Sequence, residues 1–236
     1  MEDVAIVTGA SGALGAEVAR ALSLGGQRLV LFDRDGQVER LERLAASLGG
    51  ALCLTGDATD GPTWARAMDR IRQETGAAPS RAALLAGAWR GGTLLHEETS
   101  DDVWRTMMAT NLETAYRSLR ALLPPMVAAR RGSIVVVGSR AVEQPWTSAG
   151  SAAYAAAKSA VVALARATAS EVLARGVRVN AVLPSTLDTP ANRAAMPAAD
   201  PALWVSTASL AAVIAFLLGD GARDISGAAV PVYGRS

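Results

Sequence analysis

An apolar run that ends abruptly in a glycine-rich turn constrains this chain most. Val4-Ala5-Ile6-Val7 leads through Thr8-Gly9-Ala10-Ser11-Gly12-Ala13-Leu14-Gly15 into residues of helical period. A strand that turns this tightly into a helix leaves the helix N-terminus with unpaired amides facing the turn, a setting that favours an anion such as a pyrophosphate. The same alternation of short apolar runs and longer helical stretches continues along the chain. Strands are expected near Val4 to Thr8, Gln27 to Asp33, Ala51 to Thr55, Ala82 to Ala86, Ser133 to Ser139, Val177 to Leu183 and Ala228 to Val232. Helices are expected to begin near Ala13, Gln37, Pro62, Asp101, Ala152 and Ser206. This is the pattern of a single-domain Rossmann-type α/β fold, a doubly wound parallel sheet of about seven strands with helices on both faces, spanning 1–236. With half of the 236 residues apolar, one core of that size can be filled.

Several function classes are disfavoured by composition. A formal charge of +1, with no run of Lys or Arg, gives nothing to neutralise a phosphate backbone, so no nucleic-acid partner is expected. The longest apolar run, Leu210 to Leu218, is about half of the roughly 18 residues that suggest a membrane span. The opening Met1-Glu2-Asp3 lacks the basic flank of a signal peptide, which makes a cytoplasmic location the expectation. Cys53 is the single cysteine, so no intramolecular disulfide can form, no metal site is expected, and the thiol reads as a small packed hydrophobe. The single histidine, His96, stands in a polar loop with no G-x-S-x-G turn elsewhere, which argues against a hydrolase.

Candidate cofactor residues cluster after the first strands: Gly9, Ser11, Ala13, Leu14 and Gly15 in the turn, then Asp33 at the end of the second strand. A carboxylate there suits the hydroxyls of an adenosine ribose and repels a 2′-phosphate, so NAD(H) is expected in preference to NADP(H). Arg34 beside it leaves NADP(H) open, since a guanidinium either stacks on adenine or pairs with a 2′-phosphate. Asp57, with Ala58, follows the third strand and reads either as an adenine contact or as a turn cap. The segment from Pro184 to Pro201 holds four prolines and leaves a strand end, where it is placed either to cover the ligand or to serve as a plain connection; 184–205 is taken as the covering loop.

The candidate chemistry sits in Tyr154 and Lys158, four residues apart in an alanine-rich helical stretch and hence on one face. Of the 23 basic residues 22 are arginine, and Lys158 is the single lysine, which singles out a position needing a compact ammonium. A nearby ammonium favours the phenolate and tunes Tyr154 toward proton transfer. Ser139 is expected at the carboxyl end of the fifth strand, where its hydroxyl can hold a substrate oxygen. Asn111, inside a helix, reads either as part of a polar network or as a solvent-facing side chain. The helix from about Ala152 to Arg175 carries small and apolar residues on more than one face, which suggests a homodimer or homotetramer.

Together these residues resemble the short-chain dehydrogenase/reductase family over essentially the whole length. Its TGxxx[AG]xG fingerprint is met by Thr8, Gly9, Ala13 and Gly15, and its YxxxK by Tyr154 and Lys158. Its catalytic Asn and Ser match Asn111 and Ser139, and its P-G-x-x-x-T segment appears as Pro184-Ser185-Thr186-Leu187-Asp188-Thr189. The resemblance implies hydride transfer from a nicotinamide, with Tyr154 as acid or base, Lys158 on the nicotinamide ribose and a proton relay through Asn111. Pro184, Leu187 and Thr189 would then contact the cofactor, as would Ala86 and Gly87. Three departures stand out. Leu84-Leu85-Ala86-Gly87 replaces the usual N-N-A-G, Ser139 lies 15 residues before Tyr154, two more than usual, and Ser185 replaces the family glycine. Within the family the chain resembles the dihydropteridine reductase branch, through the turn Ala86-Gly87-Ala88-Trp89-Arg90-Gly91-Gly92 and the segment holding Leu183-Pro184, Leu187 to Pro190, Asn192-Arg193, Met196-Pro197 and Ala199-Asp200. That branch implies Trp89 as a stacking surface for a substrate ring, but it has alanine where Ser139 stands. The expected function is therefore NAD(P)(H)-dependent hydride transfer to or from a small carbonyl, alcohol or quinonoid substrate. A 3-oxoacyl-type ketoreductase and a non-catalytic nucleotide-binding protein are the alternatives.

Overall fold

The computed structural model describes residues 3–235. In chain order the strands are β1 (Val4–Thr8), β2 (Arg28–Asp33), β3 (Leu52–Thr55), β4 (Arg81–Leu84), β5 (Gly132–Val137), β6 (Val177–Pro184), β7 (Leu187–Asp188), β8 (Val205–Ser206) and β9 (Ala229–Val232). Seven of them form one sheet in the order β3-β2-β1-β4-β5-β6-β9, with every neighbouring pair parallel. The two-residue strands β7 and β8 pair separately. The helices are α1 (Ala13–Leu24), α2 (Val38–Ser47), α3 (Gly61–Thr75), α4 (Asp102–Met107), α5 (Thr114–Ala129), α6 (Ala152–Val172), α7 (Pro190–Ala195) and α8 (Thr207–Leu218).

The two-residue period of β1 explains the layering. Val4 and Ile6 pack into one core with Trp64, Ile71, Leu119, Leu122 and Val161 of α3, α5 and α6. Ala5 and Val7 pack into the other with Val18, Leu41 and Leu210 of α1, α2 and α8. Central strands buried on both faces read as unbroken apolar runs, which is why they were visible in the sequence. Strand order reverses between β1 and β4, and the crevice beyond their carboxyl ends is where open α/β sheets bind ligands.

Helix ends follow local chemistry. Asp60 caps α3 by accepting the Thr63 amide at 2.8 Å, and Gly76, at φ 73, ends it. Ser206 caps α8 in the same way, through the Ser209 amide at 3.1 Å. At α1 no side chain fills that role, so its first amides remain open toward the crevice.

Two strand ends and one helix differ from expectation by more than a single residue. β4 stops at Leu84 instead of Ala86, because the Leu85 and Ala86 amides donate to Thr8 Oγ1 at 3.0 and 3.2 Å rather than to a strand neighbour. β5 stops at Val137, so Ser139 does not end the strand but heads the short 3-10 turn Arg140–Val142. The helix expected from Asp101 is interrupted by a π-helical turn, Met108–Glu113, between α4 and α5. There, side chains compete for backbone carbonyls: Thr110 Oγ1 donates to Thr106 at 2.7 Å, Asn111 Nδ2 to Met107 at 3.0 Å and Thr114 Oγ1 to Thr110 at 2.9 Å. The Pro184 to Pro201 segment holds the two-residue strand β7 and the short helix α7, joined by turns and irregular chain.

Candidate active site

The turn after β1 is built for close approach. Gly9 sits at φ 66, and a Cβ on Gly15 would fall 2.2 Å from the Gly9 carbonyl oxygen, so only glycine lets α1 start this near the turn. Asp33 reaches across from β2: its Oδ2 accepts from the Ser11 amide at 2.9 Å and the Ser11 hydroxyl at 2.7 Å, and its Oδ1 accepts from the Arg34 amide at 2.9 Å. A carboxylate offers about four acceptor positions, so three local bonds orient the group and leave room for one further hydroxyl. With the open α1 N-terminus, these features fit the pyrophosphate and adenosine ribose of a dinucleotide.

The other cofactor candidates are placed as follows. Asp57 Oδ1 accepts from the Thr59 amide and hydroxyl at 2.8 and 2.7 Å, which makes it a turn cap, and the Ala58 carbonyl accepts from the Trp64 indole at 3.0 Å. Arg34 is exposed beside Asp33. Gly87 is hemmed in, since a Cβ there would lie 2.8 Å from Asn111 Oδ1 and 3.2 Å from Lys158 Nζ. Pro184 ends β6, Leu187 lies in β7, and Thr189 caps α7 through the Asn192 amide at 3.1 Å. Asp188 and Arg193 close that segment with a two-pronged ion pair at 2.6 and 2.8 Å.

Tyr154, Lys158, Ser139 and Asn111 come together at the carboxyl ends of β4 and β5. Lys158 is only 6 % exposed; its ammonium donates to the Val137 carbonyl at 2.9 Å and lies 5.9 Å from the Tyr154 ring centre. Burial holds Lys158 down at about 8. Tyr154 shows a departure from the simple ammonium argument: burial pushes its phenol above the usual value, and the opposing influence is a hydrogen bond from Ser139. The Ser139 Oγ accepts from the Ala141 amide at 3.2 Å, which leaves its own hydrogen to point at the phenol. Asn111 is buried and not solvent-facing; its Nδ2 donates to the Ala88 carbonyl at 3.0 Å and its Oδ1 accepts from the Ala88 amide at 3.3 Å. It thereby clamps the strand-end loop that passes Lys158. Trp89, 61 % exposed, projects from that loop and is tethered by its indole N–H to Ser151 Oγ at 3.2 Å.

The sequence did not reveal the roles of Thr8 Oγ1, the Val137 carbonyl or Ser151. A backbone carbonyl carries no sequence signal, and Ser151 looks like any serine before a helix. Nor did it reveal the hydrogen bond from Tyr233 Oη to Glu143 Oε2, 2.7 Å long across 90 residues of chain.

Comparison with known proteins agrees with this geometry. The chain matches the short chain dehydrogenase family over residues 3–200, and it belongs to that family. It is 38 % identical over 192 residues to galactitol 2-dehydrogenase (L-tagatose-forming) of Cereibacter sphaeroides, covering 78 % of this chain and 71 % of that protein. It is 34 % identical over 245 aligned positions to the 3-oxoacyl-[acyl-carrier-protein] reductase FabG of Pseudomonas aeruginosa, covering 98 % of this chain and 96 % of that one. Among solved structures, a short chain dehydrogenase/reductase family oxidoreductase from Burkholderia thailandensis superposes with a TM-score of 0.85 at 31 % identity, over 99 % of this chain and 92 % of that one. The protein is accordingly an oxidoreductase of a family whose members use NAD(P)(H). None of its helices is long and apolar enough, among the described residues, to cross a membrane.

Proposed function

We propose that this enzyme interconverts a small carbonyl and its alcohol with NAD(H) as the preferred cofactor. The observation that carries the reading is the grouping of half-buried Ser139 and Tyr154 with buried Lys158, beside a loop held by Asn111. Bound NAD(H) supplies or accepts the hydride. Tyr154 delivers a proton to the substrate oxygen during reduction and removes it during oxidation. Ser139 donates to the same oxygen as charge develops on it. Lys158, a compact charge enclosed by protein, would hold the ribose hydroxyls on the nicotinamide side, while the Ser139 hydrogen bond favours the phenolate. The Asn111 side chain is committed to Ala88 and Met107, so it acts by holding position. Gly9, Ser11, Ala13, Leu14, Gly15 and Asp33 would hold the pyrophosphate and adenosine ribose, with Pro184, Leu187 and Thr189 closing over the nicotinamide.

Asp33 supports NAD(H) over NADP(H), because a 2′-phosphate would meet a carboxylate already fixed in place by Ser11. Trp89 supports a second reading, a quinonoid ring of the dihydropteridine kind, since it offers an exposed indole fixed by Ser151. One experiment addresses both readings: dissociation constants for NADH and NADPH at one ionic strength, followed by turnover of a panel of ketones, quinones and quinonoid dihydropterin. NADH should bind more tightly and at least one ketone should be reduced. Tighter NADPH binding removes the argument from Asp33, and turnover confined to the quinonoid compounds favours the second reading.

A further inference from the structure

Two of the departures from the family pattern, Ser185 in place of glycine and the two extra residues between Ser139 and Tyr154, converge on one place. The Ser185 hydroxyl donates to the Tyr233 carbonyl at 2.7 Å, a bond that glycine could not make, and the Ser185 amide donates to Val232 at 3.1 Å. The lengthened connection begins with the turn headed by Ser139, which is closed by backbone bonds from Val142 to Ser139 at 3.0 Å and from Glu143 to Arg140 at 3.1 Å. Glu143 ends that turn and accepts the Tyr233 hydroxyl. Just beyond, Gly234 adopts φ 68 and passes so close to Leu203 and Trp204 that a Cβ would lie 2.8 Å from the Leu203 oxygen, while the Arg235 amide donates to that same oxygen at 3.0 Å. The C-terminal segment thus spans the gap between the Ser139 turn and the covering segment, fastened at both sides.

The chemistry of the tie suits a permanent fastening. Burial and the neighbouring carboxylate push the Tyr233 phenol up to about 12, with Arg140 acting against them, so the hydroxyl remains a donor to Glu143 across the neutral range. The Tyr233 hydroxyl lies 2.7 Å from the Glu143 carboxylate, and a hydrogen bond to a charged acceptor is stronger than a neutral one. Glu143 is also joined to Ser139 by the rigid turn, within four residues, so a shift of the carboxylate is transmitted to the Ser139 hydroxyl.

We infer that Tyr233 is a positioning residue for the reaction: through Glu143 it fixes the turn that aims the Ser139 hydroxyl at Tyr154, and through Ser185 it ties that turn to the segment covering the site. This rests on the proposed part of Ser139 in catalysis, and the two can fail separately.

The test is a double-mutant cycle with Tyr233→Phe, which removes one oxygen, and Ser139→Ala, read on whichever ketone or quinone of the panel is turned over. Tyr233→Phe should lower kcat about tenfold, the scale of a coupled hydrogen bond to a charged group, with NADH affinity and thermal midpoint close to wild type. In the Ser139→Ala background the same change should cost less than about twofold, because the group it positions is gone. Glu143→Gln, which keeps an acceptor in place, should lose less than Tyr233→Phe. Equal losses in both backgrounds, or a loss that only follows a fall in stability and NADH binding, would overturn the inference alone. Full activity in Ser139→Ala would overturn the proposed role of Ser139 together with it. An independent measurement needs neither substrate nor cofactor: titration of the Tyr154 ring by 13C-tyrosine NMR. Its midpoint should rise in Tyr233→Phe and in Ser139→Ala alike and no further in the double variant. An unchanged midpoint in Tyr233→Phe counts against the inference.

Discussion

The two halves of the crevice are built differently. The half around β1 and β2 is made of contiguous sequence: a glycine-rich turn, the helix it feeds, and Asp33 bound to Ser11 across 22 residues. The half around β5 and β6 is assembled from distant pieces, with Asn111 on Ala88, Trp89 on Ser151 and Tyr233 on Glu143, the last pair 90 residues apart. A local device can be recognised from its spacing and carried unchanged among family members. A device assembled from loops can be altered piece by piece. Two of the three departures from the family pattern, at Ser139 and Ser185, lie in this second half, while the third, at Leu84 to Gly87, runs from the end of β4 against Thr8.

That contrast can be broken experimentally. The largest expected effect is in the second half: Tyr154→Phe should lower carbonyl or alcohol turnover by about 10²- to 10⁴-fold, the range for a general acid or base, while NADH binding is retained. Steady-state rates and NADH fluorescence check this, and full activity on every substrate would show that the proton travels by another route. In the first half binding and turnover should fall together. Gly15→Ala places a methyl group 2.2 Å from the Gly9 oxygen, so the turn must open, at about 1 to 3 kcal/mol of stability and with weaker NADH binding. A variant with unchanged thermal midpoint and NADH affinity would show that the turn is looser than its geometry.

The smallest effect on stability concerns Lys158, bonded to Val137 at the end of β5 in the second half. Below pH about 8 the folded chain carries a buried ammonium, while the unfolded chain, with the ordinary value of 10.5, carries it in water. The folded state therefore bears a desolvation cost, about 3 kcal/mol for that difference in pKa, present in full below pH 8. From about 8 to 10.5 the unfolded state holds the proton that the folded state has lost, so this group makes stability rise with pH. Lys158→Met should thus be inactive yet more stable than wild type at pH 7, by about 1 to 2 kcal/mol once the lost bond to Val137 is offset. The advantage should narrow between pH 8 and 10.5, as denaturant unfolding at several pH values will show. A wild type more stable at pH 7 would place Lys158 among the groups that hold the fold together.

The difference between halves also explains what could be read in advance. The seven-strand sheet was legible because strands such as β1 and β5, covered on both faces, leave unbroken apolar runs. Tyr154 and Lys158 were legible because one helical turn places them together. Ser139 was misplaced at the end of β5 because Gly138 still donates to Val182 at 2.8 Å, so the chain keeps a strand-like bond just past the last paired residue. The influence on the Tyr154 phenol was misassigned to the ammonium alone, since enclosure is a tertiary property. The π turn escaped because widening a helix by one residue barely disturbs an apolar periodicity read over so short a stretch.

That π turn sets the phase between two demands on one rod. Within the turn, Asn111 must face Ala88; downstream, Leu119 and Leu122 must face the sheet. An α-helix advances about 100° per residue, so a regular helix through this stretch could satisfy one demand and would rotate the other out of reach by roughly that angle. The wide turn absorbs the mismatch at its single crossing point. Shortening the chain by one residue there would leave every side chain of the site intact in composition and yet out of register with the core that carries it.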